Sequence, residues 1–276
     1  MSAWTWFDNV GWDCCQWVEG TELESDQELL QPAEQVARAA AEFSQAAEVP
    51  TRPLRPLAPS PAIIARRERI EWLDDTFARI GPPADWALIL GESLRRRQIS
   101  PPLERQILTA LQIWQLGWMR QRVELLNQLR SWSELLVPQC HVLGDLHLGN
   151  CLFRDGNLVA LVDFDALRMD SAAVDLSRLL NSLELIYQGA VWQQREEEIW
   201  QRLLAAYRAI RPFNQQEVEL ARCLAACSPL INLGNWVHWL FIEQRVFPGP
   251  EEMVWQRMLG WSRLVASRLN IWSDML

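Results

Sequence analysis

Apolar residues recur at helical spacing through most of this chain. From Asp26 to Ala47, the positions Leu29, Leu30, Val36, Ala40 and Phe43 fall roughly on one face, in an alanine-rich stretch that favours helix. From Pro102 to Trp132, Ile107, Leu111, Trp114, Trp118, Leu125 and Leu129 approximate a second broad apolar face. Helical patterns also cover 62–80, 171–188, 193–210, 215–244 and 250–270. Two places depart from this period. Ala3–Phe7 and Trp12–Val18 look like short strands around a turn at Asp8–Gly11. Cys151–Phe153 and Leu158–Val162 are apolar runs on either side of Arg154-Asp-Gly-Asn157, a turn signal in which Gly156 is free to take positive φ. They predict a β-hairpin whose second strand is buried. The fold class is therefore α+β, mostly α.

Two further segments qualify this picture. Prolines 50, 53, 56 and 59 recur every third residue, so the Pro-rich stretch 48–61 is expected to be a stiff polyproline II connector over the surface. Recognition of 50–61 by an SH3-like aromatic-groove partner is the alternative. Cys223–Ile242 carries no charged residue over 20 positions. Length alone would allow a membrane span, but Ser228, Pro229, Asn232, Gly234, Asn235 and His238 interrupt it and no basic flank marks orientation. A buried core helix, broken near Pro229, is expected instead, and no membrane partner.

The predicted hairpin brings chemistry together. The residue before its first strand lies beside the residue after its second, and these are Asn150 and Asp163. Asp145, in a D-x-x-x-x-N spacing with Asn150, sits on the loop just upstream. A carboxylate that orients a hydroxyl, plus an amide oxygen and a second carboxylate as hard ligands, is what magnesium-assisted phosphoryl transfer needs.

Composition narrows the reading. With 49% hydrophobic residues, the 276-residue chain can bury a substantial core. The net charge of -9 argues against sequence-independent nucleic-acid binding and is compatible with a cationic substrate such as an amine. All 26 basic residues are arginine, and no G-x-G-x-x-G occurs. The six cysteines form no C-x-x-C pair, and no secretory leader appears, which predicts reduced thiols in a cytoplasmic setting. Cys223 and Cys227 stand four apart on a helical pattern and are read as buried thiols, not as a zinc site. The sixteen tryptophans are assigned mainly to core packing, with some free to line a pocket.

The string Leu143-Gly-Asp-Leu-His-Leu-Gly-Asn-Cys-Leu-Phe153, followed by Val162-Asp-Phe-Asp165, resembles the aminoglycoside phosphotransferase and choline kinase family, relatives of the protein kinases. Members carry H-G-D-L-H-x-x-N-x-L-F and then a strand ending in D-F-D or D-W-E. The resemblance implies a protein-kinase-like C-lobe that uses ATP and Mg²⁺. It implies Asp145 as the catalytic base or hydroxyl-orienting residue and Asn150 and Asp163 as magnesium ligands. Asp165 would be a second acid, His147 a structural neighbour of the loop, and Asp175 its support. Asp175 also reads as an N-terminal helix acid favoured by the dipole. Leu143 replaces the family's first histidine.

Trp17-Val18-Glu19-Gly20 resembles the family's hinge, which implies that Trp17, Val18 and Glu19 contact the adenine. Residues 1–20 would then be a remnant of N-lobe strands and hinge, and 21–276 a helical C-lobe, with the N-lobe largely missing or supplied by sequence outside this chain. The family's N-lobe lysine has no counterpart here, and an arginine is not equivalent. The expected function is ATP- and Mg-dependent phosphoryl transfer to a hydroxyl of a small molecule, with a cationic amine or amino sugar as candidate acceptor. A catalytically inactive pseudokinase-type binding protein is the alternative. A metal-dependent phosphohydrolase built on Asp145, His147, Asp163 and Asp165 is a third.

Overall fold

The computed structural model describes residues 3–7, 10–14, 18–23, 28–47, 56–94, 99–187 and 189–270. In chain order the elements are β1 (Ala3–Phe7), β2 (Val10–Cys14), α1 (Leu30–Ala46), β3 (Leu57–Ala58), α2 (Pro61–Ala78), α3 (Trp86–Leu94) and α4 (Pro101–Trp132). Then come β4 (Val137–Pro138), β5 (Cys140–Val142), β6 (Cys151–Arg154), β7 (Asn157–Leu161), β8 (Arg168–Asp170), α5 (Ala173–Tyr187), α6 (Gly189–Arg208), α7 (Gln215–Val237) and α8 (Glu251–Arg268). The strands form four two-stranded antiparallel pairs, β1–β2, β3–β4, β5–β8 and β6–β7. Most of the rest of the core is helix against helix, with α1 also packing on β5 and β7.

α7 is the axis of that core, packing on α2, α4, α5 and α8. Its start is fixed by a capping box: Asn214 accepts from the Glu217 amide while the Glu217 carboxylate accepts from the Asn214 amide. Small residues let its neighbours approach. A Cβ added at Gly234 would lie 3.1 Å from Leu73 Cδ1, and one at Gly117 of α4 would lie 2.7 Å from Val265 Cγ1. Much of the tryptophan is core, as its apolar area favours. Trp86 stacks on Trp114 at 5.3 Å, and Phe77 meets Trp114 edge-on at 4.5 Å.

α7 is not broken at Pro229, contrary to the expectation from sequence; it runs through the proline. A mid-helix proline removes the N–H that would bond the carbonyl four residues back. Here that carbonyl belongs to Ala225, and Arg268 of α8 supplies the missing donor, from Nη1 to Ala225 O at 3.2 Å and to Ala226 O at 2.7 Å. The same guanidinium forms a fork with the buried Glu184 of α5, with Nε to Oε1 at 3.0 Å and Nη2 to Oε2 at 2.5 Å. One arginine thus ties three helices together. Beyond α7 the helix widens into a π-turn over His238–Ile242, with the Glu243 amide on the His238 carbonyl.

Other differences are local. The N-terminal strands pair, but the second is Val10–Cys14 and not Trp12–Val18: Val10 and Gly11, expected in the turn, pair with Phe7 and Trp6, and 15–17 lie outside the described residues. Of the Pro-rich stretch, 48–55 lie outside the described residues; its end is not polyproline but a two-residue strand on β4, and Pro61 opens α2. α3 and the β5–β8 pair had no periodic signal, because an element of a few residues is too short to show one. β7 is half-exposed, not buried. No described helix is long and apolar enough to cross a membrane.

Replacing Arg268 by Met should leave a buried carboxylate unpaired and a helix carbonyl unsatisfied. The expected cost is about 3–5 kcal/mol in denaturant unfolding, partly recovered by combining it with Glu184→Gln. A cost below about 1 kcal/mol, typical of an exposed pair, would contradict the triple tie.

Candidate active site

The loop after β5 is held from beneath. Asp175, at the start of α5 and fully buried, accepts the Leu143 amide at 2.9 Å and the Gly144 amide at 2.8 Å. Gly144 has φ +78°, and a Cβ there would lie 2.3 Å from the Ala166 carbonyl oxygen, so only glycine fits. Leu143 is buried in the apolar core.

From this anchor Asp145 emerges into solvent-accessible space. Arg178, one turn after Asp175 on α5, donates to Asp145 Oδ1, and His147 Nε2 stands 3.9 Å from Asp145 Oδ2. Asn150 closes the loop on itself: its Nδ2 donates to the Asp145 carbonyl at 3.0 Å and its amide to the His147 carbonyl at 2.9 Å. Burial pulls the His147 pKa below its usual value, opposed by the Asp145 charge and, more weakly, by Asp163.

The hairpin forms around Asp155 (φ 51°) and Gly156 (φ 73°), two left-handed residues in succession as a type I′ turn requires. Gln35 of α1 pins it, donating to the Gly156 carbonyl at 3.1 Å and accepting the Leu158 amide at 2.8 Å. At the open end the Val162 amide donates to the Asn150 carbonyl at 3.0 Å, which brings the backbones of Asn150 and Asp163 alongside each other. Asp163 itself has φ 63°, a left-handed conformation uncommon outside glycine.

Asp145, Asp163, His147 and Arg178 line one cleft of about 670 Å³, whose other walls include Trp236, Trp239 and Trp261. Asn181 of α5 also lines it; it is 2% exposed, and neither amide atom has a hydrogen-bond partner among the described residues. Asp165 is exposed on the turn after β7 and lines no cleft described here. Asp175 lies below the loop, outside the cleft.

Of the hinge segment, Trp17 lies outside the described residues. Val18 and Glu19 run beside the hairpin: Thr21 pairs with Phe153 through two backbone bonds, and Arg154 donates to the Glu19 carbonyl at 2.6 Å. A Cβ on Gly20 would lie 2.9 Å from Leu152 Cβ. The segment therefore rests directly on the strand that follows Asn150.

The donor set fits a magnesium–phosphate group. Asp163 has no hydrogen-bond or ion-pair partner among the described residues, and the Asn150 amide nitrogen is engaged while its oxygen is not. Both are hard oxygen donors. No group of three or more His, Cys, Asp or Glu that could hold a metal occurs among the described residues, so the remaining ligands would be phosphate and water. It also leaves the phosphohydrolase reading without its ligand shell.

Residues absent from the sequence reading are Arg178 and Asn181. Arg178 stands three positions after Asp175, a helical spacing that places both on neighbouring parts of one face. That spacing was the available signal.

A family model described as the phosphotransferase enzyme family, APH, matches residues 6–213. The chain belongs to that family. Among solved structures it is similar to an aminoglycoside phosphotransferase from Alicyclobacillus acidocaldarius, at 16% identity and TM-score 0.49, covering 97% of this chain and 73% of that one. It is similar to the amicoumacin kinase hAmiN in complex with AMP-PNP, Ca²⁺ and Ami, at 16% identity and TM-score 0.49, covering 90% of this chain and 63% of that one. It is also similar to a glucosamine kinase, at 18% identity and TM-score 0.48, covering 90% of this chain and 54% of that one. No curated protein matches the sequence.

Burial pushes the Asp175 pKa from 3.8 to about 6 despite its two amide bonds. The folded protein then holds this proton more tightly than the unfolded chain. Its contribution to stability is full below pH 3.8 and is lost as pH rises through about 6. Asp175→Asn should flatten the fall in unfolding free energy between pH 4 and 6 relative to the parent, with a pH-independent cost of about 1–3 kcal/mol from the unmatched amide. Parallel pH profiles for the two proteins would contradict the assignment.

Proposed function

We propose that the protein is an ATP- and Mg²⁺-dependent phosphotransferase acting on a hydroxyl of a small molecule. The observation that carries this is the cleft that Asp145 and Asp163 both line, with the Asn150 side chain bonded to the Asp145 backbone carbonyl, in a chain of the phosphotransferase family. Asp145 would orient the acceptor hydroxyl and take its proton. Asn150 and Asp163 would hold magnesium, which supplies charge neutralisation for the transferring phosphoryl group. Arg178 holds the Asp145 carboxylate in place. His147 would flank the loop, Asp165 would be a second acid, and Asp175 would support the loop from below. Val18 and Glu19, with Trp17, would border the adenine; Asn181, unsatisfied on the cleft wall, would bond the acceptor. Catalysis of this kind is positioning and electrostatics, with little covalent work by the protein.

The four described cysteines are free, which supports a reducing, cytoplasmic setting. Residues 1–20 would contribute N-lobe strands and the hinge, and 21–276 the helical C-lobe. A nucleotide-binding protein without turnover is the second reading, favoured by the absence of any lysine to pair the phosphates.

Asp145→Asn decides between them. Turnover, read as ADP release in the presence of an accepted alcohol, should fall about 10²–10⁴-fold, the range for a lost general base, with the melting temperature little changed. Equal turnover in the variant would reject the role given to Asp145.

A further inference from the structure

A second recess opens beside Asp145, and its lining is cationic. Arg66 and Arg69 from α2, Arg168 from β8 and Arg178 from α5 surround about 340 Å³, with Asp145 the one carboxylate among the lining residues. Asp163 lines the other cleft and not this one. In a chain of net charge -9, four guanidinium groups converging on one recess require an explanation.

The protein's own acids do not fully neutralise them. Arg178 is engaged by Asp145. Arg168 stands 3.4 Å from Asp170, which is buried and already accepts from the Ser60 hydroxyl and the Ala62 and Ser171 amides. Arg69 donates to the Asn235 side chain at 2.6 Å and lies 4.1 Å from the centre of the Trp72 ring. Arg66 forms no ion pair with a carboxylate among the described residues; its hydrogen bond to the Ala62 carbonyl, at 3.3 Å, is neutral at the acceptor end. Burial, and behind it the charges of Arg178 and Arg168, holds the Arg66 guanidinium below the usual arginine pKa, against opposing pulls from Cys227 and, more weakly, Asp170. A half-buried cation facing other cations is unfavourable until an anion joins it. Planar guanidinium forks match carboxylate and phosphate oxygens.

We infer that this recess binds an anionic group of the acceptor, a carboxylate or a phosphate, so that the transfer is made to a hydroxylated acid or a phosphorylated alcohol and not to a cationic amine. The inference rests on the phosphotransferase reading. Asp145 borders both recesses, so an acceptor anchored by its anion among the arginines places its hydroxyl at Asp145. Asp163, on the neighbouring cleft, would hold the metal and with it the nucleotide phosphates. The transfer is balanced: the acceptor O–H loses its proton to Asp145, the new O–P bond forms, and the bond to the nucleotide diphosphate breaks.

The test uses the whole chain, with Arg66→Met and the charge-preserving Arg66→Lys. Inorganic phosphate is titrated calorimetrically without nucleotide. ADP release is then measured with glycerate and glycerol 3-phosphate against choline and glucosamine. The expected result is phosphate binding by the parent, weakened about tenfold or more in Arg66→Met and largely kept in Arg66→Lys. The acidic acceptors should be preferred, and Arg66→Met should raise their KM with the KM for ATP unchanged. A rise in the KM for ATP alone would assign the anion to the nucleotide and overturn the acceptor claim. Preference for choline or glucosamine, or no phosphate binding in the folded parent, would overturn it too. Phosphate binding with no turnover of any acceptor would overturn the phosphotransferase reading, and the acceptor assignment with it, while the anion site itself stood.

Discussion

The arrangement at the cleft depends on one buried carboxylate. Asp175 gathers the amides of Leu143 and Gly144 and so fixes where the chain leaves β5. Without that anchor, Gly144 has no reason to hold a positive φ against the Ala166 carbonyl, and Asp145 has no fixed direction. Burying an acid this completely is unfavourable, as its raised pKa records. Two charge-assisted hydrogen bonds offset part of that cost, and the remainder is the cost of a preorganised loop. Three residues further along the same helix, Arg178 reaches Asp145 from the side. A single turn of α5 thus sets both the path of the loop and the orientation of its acid.

The hairpin performs the complementary task. Its type I′ turn and the Gln35 clamp fix the register, and the register sets Asn150 opposite Val162, the residue before Asp163. The left-handed φ of Asp163 is the local distortion that follows. Such strain persists only where surrounding structure over-determines it, and here the β6–β7 ladder and the Val162–Asn150 bond do so.

What the sequence made legible was what local rules control. The long helices and the Asp155-Gly156 turn follow from periodicity and turn chemistry, and the hairpin itself sets Asn150 opposite Val162, one residue before Asp163. What escaped was decided by distant partners. Pro229 reads as a helix breaker because nothing near it in sequence announces Arg268, some forty residues on, as donor to the orphaned carbonyl. The β5–β8 ladder and the β3–β4 bridge join segments too short to carry a pattern. The arginine recess is assembled from α2, β8 and α5, and no spacing along the chain brings those residues together. The net charge of the chain is -9, yet four arginines line the recess beside Asp145. Net charge governs long-range steering and says little about one recess.

On the proposed function, Asn150 and Asp163 would present hard oxygens to one divalent cation that accompanies the nucleotide. The most direct test is calorimetric titration of the whole chain with ATP, with Mg²⁺ and with chelator, for the parent and Asp163→Ala. The account predicts that nucleotide binding requires Mg²⁺ and that the Mg²⁺-dependent part is lost in the variant while its melting temperature is retained. Binding of ATP that is equally strong with chelator, or unchanged by Asp163→Ala, would contradict it.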